Sequence, residues 1–230
     1  MLRRWAYLLV LTVLAGPIGT ASADNQLQST RAKPVGLFGS IEFRGGPLKP
    51  SRHWQDVLQR MEREQRTLGA CLADEGACGT AALRTWRRHL LSAASQGRRD
   101  MVGEVNRFFN QWPYRADAEI YRAEEHWASP VEFMERSGDC EDYAIAKFFA
   151  LRLLGVDNRD LRIVTLINRA TGGAHAVLAV HSGGETLILD SKSDAVLPDT
   201  AYRHYAPLVS VNETTRWAHI TLRPADGPRG

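Results

Sequence analysis

The spacing of apolar residues changes along the chain from a helical pattern to a strand pattern. In the first half, apolar positions recur every three to four residues, as Trp54, Val57 and Met61 do, which is typical of a helix with one buried face. This spacing predicts helices over residues 51–67, 80–94 and 99–110. Residues 24–50 are rich in Gly and Pro and are predicted to form an irregular arm. Residues 111–137 are predicted to be irregular around a short helical turn.

The second half begins with a fourth predicted helix, over residues 138–154, which Gly155 ends. Short apolar runs separated by glycine-containing turns then predict strands over residues 161–168, 175–181 and 186–190. Helices followed by an antiparallel meander indicate an α+β fold in a single domain.

The first residues have the layout of a secretory signal peptide. Arg3 and Arg4 precede an apolar run over residues 5–14, and the small residues Ala21-Ser22-Ala23 provide a cleavage site. A retained membrane anchor is the alternative, although the run is shorter than the roughly 20 residues that a spanning helix needs. We therefore expect residues 1–23 to be removed, residues 24–230 to form one domain, and the protein to be periplasmic.

The charge of the exported part is close to neutral. The whole chain carries a formal charge of +3, and Arg3 and Arg4 supply two of these charges without an acid before Asp24, which leaves +1. This balance gives no electrostatic reason to expect binding to nucleic acid.

The chain has three cysteines, which in an exported protein suggests one disulfide and one free thiol. Cys71 and Cys78 are separated by a short loop-like segment and are predicted to pair. Cys140 remains, and an unpaired thiol in an oxidising compartment calls for a functional reason.

Cys140 and two strand residues form a candidate catalytic set. Cys140 lies at a predicted helix N-terminus, where the helix dipole favours a thiolate. A two-residue Gly183-Gly184 turn places His175 and Asp190 on one face of a hairpin as diagonal neighbours, about 7–8 Å apart at the backbone. A nucleophile, a base and a group that orients the base are what acyl transfer requires.

Each of these residues also has a purely structural interpretation, so other functions stay open. Cys140 could be a buried structural cysteine, His175 a hydrogen-bonded strand-end histidine, and Asp190 a residue that ends its strand. The same three groups also support transfer to, or deamidation of, glutamine. A non-catalytic binding module is the alternative outside the enzymes.

Two sequence blocks resemble a known family. Trp127-Ala128-Ser129-Pro130 and Gly138-Asp139-Cys140-Glu141-Asp142-Tyr143-Ala144 are similar to the bacterial transglutaminase-like cysteine proteinases, and within these to the LapG-type periplasmic proteases. The resemblance implies a papain-like, transglutaminase-type core with Cys140, His175 and Asp190 as nucleophile, base and acid. Ala176 and Ser191 depart from the family pattern, which has methionine and asparagine at these positions.

The resemblance also implies partners and a metal. It implies cleavage of the N-terminal region of a large surface adhesin, which releases cells from a biofilm, and regulation by an inner-membrane receptor for cyclic di-GMP. It implies calcium bound through Asp139 and Glu141. These acids would otherwise oppose thiolate formation at Cys140, unless they serve only as favourable first-turn residues of the helix.

Donors for the oxyanion of the tetrahedral intermediate are also needed. The backbone N–H of Cys140 is the natural candidate. The indole of Trp112 or Trp127 could be a second donor, and ordinary packing is the alternative for both.

Overall fold

The computed structural model describes residues 36–45 and 51–221. The helices are α1 (Arg52–Ala73), α2 (Ala81–Ala94), α3 (Arg98–Phe109), α4 (Asp117–Ile120), α5 (Pro130–Arg136) and α6 (Cys140–Leu153). The predicted helices α1, α2, α3 and α6 are confirmed. Helix α1 continues beyond its predicted end because Leu68 and Cys71 extend its buried face. Helix α5 was predicted as irregular, and it begins with a capping box between Ser129 and Glu132.

The strands form one antiparallel sheet, and all of them except the first follow the helices in the chain. Its strands are β1 (Ile41–Arg44), β2 (Leu161–Asn168), β3 (Gly173–Ser182), β4 (Glu185–Asp190), β5 (Ser193–Pro198), β6 (Tyr205–Val211) and β7 (Arg216–Ile220), in the spatial order β1-β7-β6-β2-β3-β4-β5. The predicted meander is confirmed as β2, β3 and β4. His181 lies opposite Thr186, the register that a Gly183-Gly184 turn predicts, and both glycines have positive φ.

The prediction of an irregular arm over residues 24–50 is wrong for part of that segment. Ile41–Arg44 form β1, which pairs with β7 near the other end of the chain, with Phe43 opposite Ala218. Strands β5, β6 and β7 were not predicted either. Together with β1 they extend the three predicted strands to a seven-stranded sheet, in which β6 pairs with β2, and the α+β class is unchanged. The predicted signal peptide, residues 1–23, lies outside the described residues.

Helix α6 is the central element of the fold. Its residues from Asp142 to Leu151 are all buried, and it packs against β2, β3 and β4 on one side and α3 and α5 on the other. It ends before Gly155, which has a φ of +85° as a helix-stopping glycine requires. Because α6 begins at Cys140, the packing that fixes this helix also fixes the position of the thiol.

The two faces of the sheet contribute to different clusters. One face, with Ile163 and Leu178, joins the helices in the main core. The other face carries a smaller cluster that includes Val177, Ile188 and Tyr205. His175 and Asp190 belong to the second face, because side chains alternate along β3 and β4.

The predicted disulfide between Cys71 and Cys78 is present, with its Cα atoms 4.5 Å apart, and ties the end of α1 to the loop before α2.

Within residues 36–45 and 51–221, the helices lack the combination of length and apolar character that crossing a membrane requires.

Candidate active site

Cys140 is the first residue of α6 and the free cysteine of the chain. Its Sγ accepts a hydrogen bond from the backbone N–H of Ala176 on β3 and donates one to Glu141 Oε2 at 3.2 Å. The preceding turn depends on Gly138, because a Cβ there would lie 2.1 Å from Oδ2 of Asp142. That carboxylate caps α6 by accepting from the backbone N–H of Asp139 at 3.2 Å.

His175 and Asp190 meet across the β3–β4 hairpin. The distance from His175 Nε2 to Asp190 Oδ1 is 2.8 Å, and the exposed fractions of the two residues are 3% and 1%. The predicted contact between diagonal neighbours is therefore present. Because the bond to Asp190 uses Nε2, the Nδ1 atom is the ring nitrogen left to exchange a proton with another group.

Asp190 receives two further hydrogen bonds. The hydroxyl of Tyr205 on β6 donates to Oδ2 at 2.5 Å, and the backbone N–H of Lys192 donates to Oδ1 at 3.0 Å. Burial alone would raise the pKa of Asp190, but the hydrogen bonds and the charge of His175, with the donors Tyr205 and Lys192, lower it to about 2. Asp190 is therefore an anion throughout the neutral pH range.

Cys140 and His175 line one cleft of about 570 Å³. Its remaining wall is largely apolar and comes from β2, β3 and β6, through Ile163, Leu166, Ala174, Ala176, Leu208 and Val209. Charged groups border it at Glu124, Glu125 and Arg216. The predicted nucleophile and base therefore line the same cleft, beside a largely apolar wall.

The N-terminus of α6 carries an excess of carboxylates. One group with its ligand atoms within 4.8 Å of one another contains Asp139, Cys140 and Glu141, and a second contains Asp117, Asp139 and Asp142. Oδ1 of Asp117 and Oδ1 of Asp139 are buried and have no hydrogen-bond partner among the described residues. Buried oxygens without a donor are costly unless a cation or water satisfies them.

The pKa values at this end of the cleft are shifted in the direction that opposes charge. Burial raises the pKa of Asp142 to about 8, with Asp139 and Asp117 adding repulsion. Burial also raises the pKa of the Cys140 thiol strongly, and the neighbouring Glu141 and Asp139 carboxylates raise it further. Without a bound cation, the residues around Cys140 favour a neutral thiol over a thiolate.

A hard divalent cation fits this oxygen set. Calcium binds carboxylate oxygens, and the orphaned oxygens of Asp117 and Asp139 are the atoms in need of a partner. The family resemblance implied Asp139 and Glu141, and the structure places both beside the thiol. It adds Asp117 and Asp142, and Asp117 had been given no role. No local signal could have identified Asp117, because it lies on the separate helix α4 and only the fold brings it to Asp139.

The oxyanion candidates have different outcomes. The N–H of Cys140 lies in the first turn of α6, where intrahelical acceptors are lacking. Trp112 donates its indole N–H to the carbonyl of Met134 at 3.2 Å and packs among Phe108, Phe109 and Phe133, so it is a packing residue. Trp127 lines the cleft, and its indole donates to Glu125 at 3.0 Å.

Comparisons with known proteins show the family and the fold that this chain resembles. The family model described as bacterial transglutaminase-like cysteine proteinase matches residues 69–224. LapG of Legionella pneumophila is 30% identical, with 67% of this chain and 86% of that chain covered and a TM-score of 0.57. Its calcium-bound form is 29% identical, with 72% and 91% covered and a TM-score of 0.57. Its EGTA-treated form gives a TM-score of 0.58 at 30% identity, with 68% and 86% covered. No match is found among the curated proteins.

Proposed function

This chain belongs to the bacterial transglutaminase-like cysteine proteinase family, and from that premise we propose that it is an endopeptidase with Cys140 as nucleophile, His175 as base and Asp190 as the group that orients His175. The observation that carries the proposal is the 2.8 Å hydrogen bond from His175 to Asp190, beside the cleft that His175 shares with Cys140. Asp190 stabilises the imidazolium form of His175 and fixes its tautomer.

The reaction proceeds by two acyl transfers. His175 takes the thiol proton, and the Cys140 thiolate attacks the carbonyl carbon of the substrate while the N–H of Cys140 donates to the oxyanion. The C–N bond then breaks, and His175 gives its proton to the leaving amine. In the second half, His175 takes a proton from water, the hydroxide attacks the thioester, and the C–S bond breaks to release a carboxylate and the thiol.

Calcium is part of the proposal. Asp139 and Glu141, together with Asp117 and Asp142, would hold the ion. The bound ion supplies positive charge that offsets the carboxylates and so lowers the cost of forming the thiolate. The support is the pair of orphaned oxygens on Asp117 and Asp139 and the similarity to a LapG that has been obtained with calcium bound.

The substrate, the compartment and the regulator are inferred from the resemblance to LapG-type proteases. We propose that the protease acts in the periplasm after removal of residues 1–23. Its substrate is the N-terminal region of a large surface adhesin, whose cleavage releases cells from a biofilm. An inner-membrane receptor for cyclic di-GMP controls its access to that substrate.

The test uses the chain from Asp24 onward and an N-terminal fragment of the largest surface adhesin of the same organism. We expect one discrete cut, lost in Cys140→Ala and lost on chelation of calcium. A cut that survives chelation would retain the protease and remove the calcium proposal. A folded protein that makes no cut, and whose Cys140 reacts no faster than a free thiol, would favour a binding module.

A matching assay separates hydrolysis from transfer to glutamine. The same reaction is run with an added primary amine, and the products are analysed by mass. Hydrolysis predicts two shorter peptides with no incorporated amine. An intact chain that gains the amine at a glutamine would instead assign the site to a transglutaminase.

A further inference from the structure

The helix that carries the nucleophile also carries a completely buried lysine near its middle. Lys147 lies two turns beyond Cys140 on α6 and has an exposed fraction of 0%. Its Nζ donates to Oδ1 of Asn110 at 2.7 Å and lies 5.6 Å from the centre of the Tyr143 ring. Burying an amine costs free energy unless hydrogen bonds or a charged partner compensate for the lost water. The proposed reaction does not use the amine of Lys147.

Asn110 links this lysine to the strand end that carries Asp190. Asn110 follows α3 as its C-cap residue, and its Nδ2 donates to the carbonyl of Asp190 at 3.0 Å. The same amide group lies 3.0 Å from the carbonyl of Ser193 and 3.0 Å from Oδ1 of Asp194. One side chain therefore holds both ends of the turn between β4 and β5.

Lys147 and the turn carbonyls together fix the orientation of the Asn110 amide. The Lys147 amine donates to the amide oxygen of Asn110, so this oxygen lies on the lysine side. The NH₂ group must then face the carbonyls of Asp190 and Ser193, which can only accept. If Lys147 were absent, the buried amide oxygen of Asn110 would lose its donor, and the cost of leaving it unsatisfied would weaken the hold of this side chain on the turn.

We propose that Lys147 and Asn110 are positioning residues that hold the backbone of Asp190 and thereby keep its carboxylate aligned with His175. The inference rests on the proposed function, because a fixed Asp190 matters only if His175 acts as a base. A displacement of a catalytic group by about 1 Å costs up to about 100-fold in rate. Loss of either residue therefore lowers kcat and leaves KM nearly unchanged, because neither residue lines the cleft.

Asn106 provides a matched control. It lies one turn earlier on α3, is fully buried, and donates through Nδ2 to the same Ser193 carbonyl at 2.8 Å. In the described structure it has no hydrogen bond to Lys147 or to the Asp190 carbonyl. Asn106→Ala thus removes a buried asparagine that contacts the same turn. It leaves the hydrogen bonds that connect Lys147, Asn110 and Asp190 in place.

The experiment measures kcat, KM and the melting temperature for Asn110→Ala, Lys147→Met and Asn106→Ala with calcium present. Kinetics are measured below the lowest melting temperature of the set. If either Asn110→Ala or Lys147→Met does not fold, the other variant alone tests the inference. We expect kcat to fall about 10- to 100-fold in Asn110→Ala and Lys147→Met, and by less than about threefold in Asn106→Ala. The double variant should be no slower than the slower single variant, because both act through one connection.

Two outcomes would overturn the inference while leaving the protease intact. One is a kcat in Asn110→Ala equal to that in Asn106→Ala, and the other is fully additive effects in the double variant. Failure of the proposed function is recognised separately, by a wild-type protein that makes no cut and whose Cys140 is alkylated at the same rate with and without His175.

Discussion

Two acidic regions contribute to the candidate site, and they differ in how completely hydrogen bonds satisfy their carboxylates. Asp190 accepts from His175, Tyr205 and the backbone of Lys192, and its pKa is lowered to about 2. At the start of α6, Asp117 and Asp139 each keep a buried oxygen without a partner, and burial and mutual repulsion raise the carboxylate pKa values.

Because of this difference, the half of the site that orients His175 and the half that carries Cys140 differ in whether the protein alone can stabilise their charges. The half that orients the base is complete within the chain, because every donor that holds Asp190 belongs to the protein. The half that carries the nucleophile contains more negative charge than its own donors can stabilise. The proposed cation would therefore act on the second half alone, and chelation should inactivate Cys140 without disturbing the His175–Asp190 pair.

The largest expected effect comes from changing the complete half. Asp190→Asn keeps the shape but loses the charge that stabilises the imidazolium of His175. We expect kcat to fall about 10³- to 10⁴-fold. Steady-state cleavage kinetics with calcium present give the value, and calcium affinity, measured by calorimetry, should stay unchanged. A loss of calcium affinity in this variant would show that the two halves are not independent.

The next effect tests the incomplete half. Asp117→Asn removes one charge from the carboxylate cluster, and we expect calcium affinity to fall about 10- to 100-fold, the range seen when residues that support a metal site are changed. Glu119→Gln on the same short helix α4 is the control, because Glu119 is exposed and outside both ligand groups. Equal affinities in the two variants would remove Asp117 from the proposed calcium site.

Tyr205 tests whether the carboxylate of Asp190 needs its second donor. Tyr205→Phe deletes only the hydroxyl that binds Oδ2, and we expect an approximately tenfold lower kcat, the effect of one hydrogen bond to a charged group. Tyr202→Phe is the matched control. Its ring stacks on Tyr205 with centroids 5.1 Å apart, but among the described contacts it has no hydrogen bond to Asp190. Similar losses in both variants would assign Tyr205 a packing role.

The smallest effect is on stability and its dependence on pH. The pKa of Asp142 in the folded protein, about 8, lies above its ordinary value of 3.8, so the folded state without metal holds this proton more tightly than the unfolded state. The stability of the metal-free protein should therefore decrease as pH rises from about 4 to about 8. We expect its melting temperature at pH 8 to be about 5 °C below that at pH 5.

The contribution of Asp190 has the opposite sign. Its pKa is lowered to about 2, so its stabilising effect is present above about pH 4 and is lost only as pH falls from there towards 2. Thermal melts with and without calcium separate the two contributions, since calcium should remove the decrease between pH 5 and pH 8. A metal-free protein that is equally stable at pH 5 and pH 8 would contradict the charge excess assigned to the start of α6.

Much of the architecture follows from local sequence signals. Helical spacing identified α1, α2 and α3, the stop at Gly155 helped to identify α6, and the Gly183-Gly184 turn predicted the register that brings His175 to Asp190. Strands β1 and β7 were missed because each is short and is defined by its pairing with a distant segment, and β-propensity depends strongly on such context.

The supporting residues of the site were missed for a related reason. Tyr205, Asp117 and Asn110 reach the site from β6, α4 and the end of α3, and each acts through a contact that only the folded chain creates. Lys147 gave a misleading signal, because a lysine in a helix is ordinarily solvent-exposed. The nucleophile, base and acid could be proposed from sequence because each sits at a locally recognisable position.

The most direct test of the account is the rate at which Cys140 is alkylated at pH 7, followed by intact mass. Three samples are compared: wild type with calcium, wild type after chelation, and His175→Ala with calcium. We predict rapid alkylation in the first sample and rates lower by about 100-fold or more in the other two, since each unit of raised thiol pKa lowers the thiolate population about tenfold. Equal rates in all three samples would contradict the claim that His175 and a cation together activate Cys140.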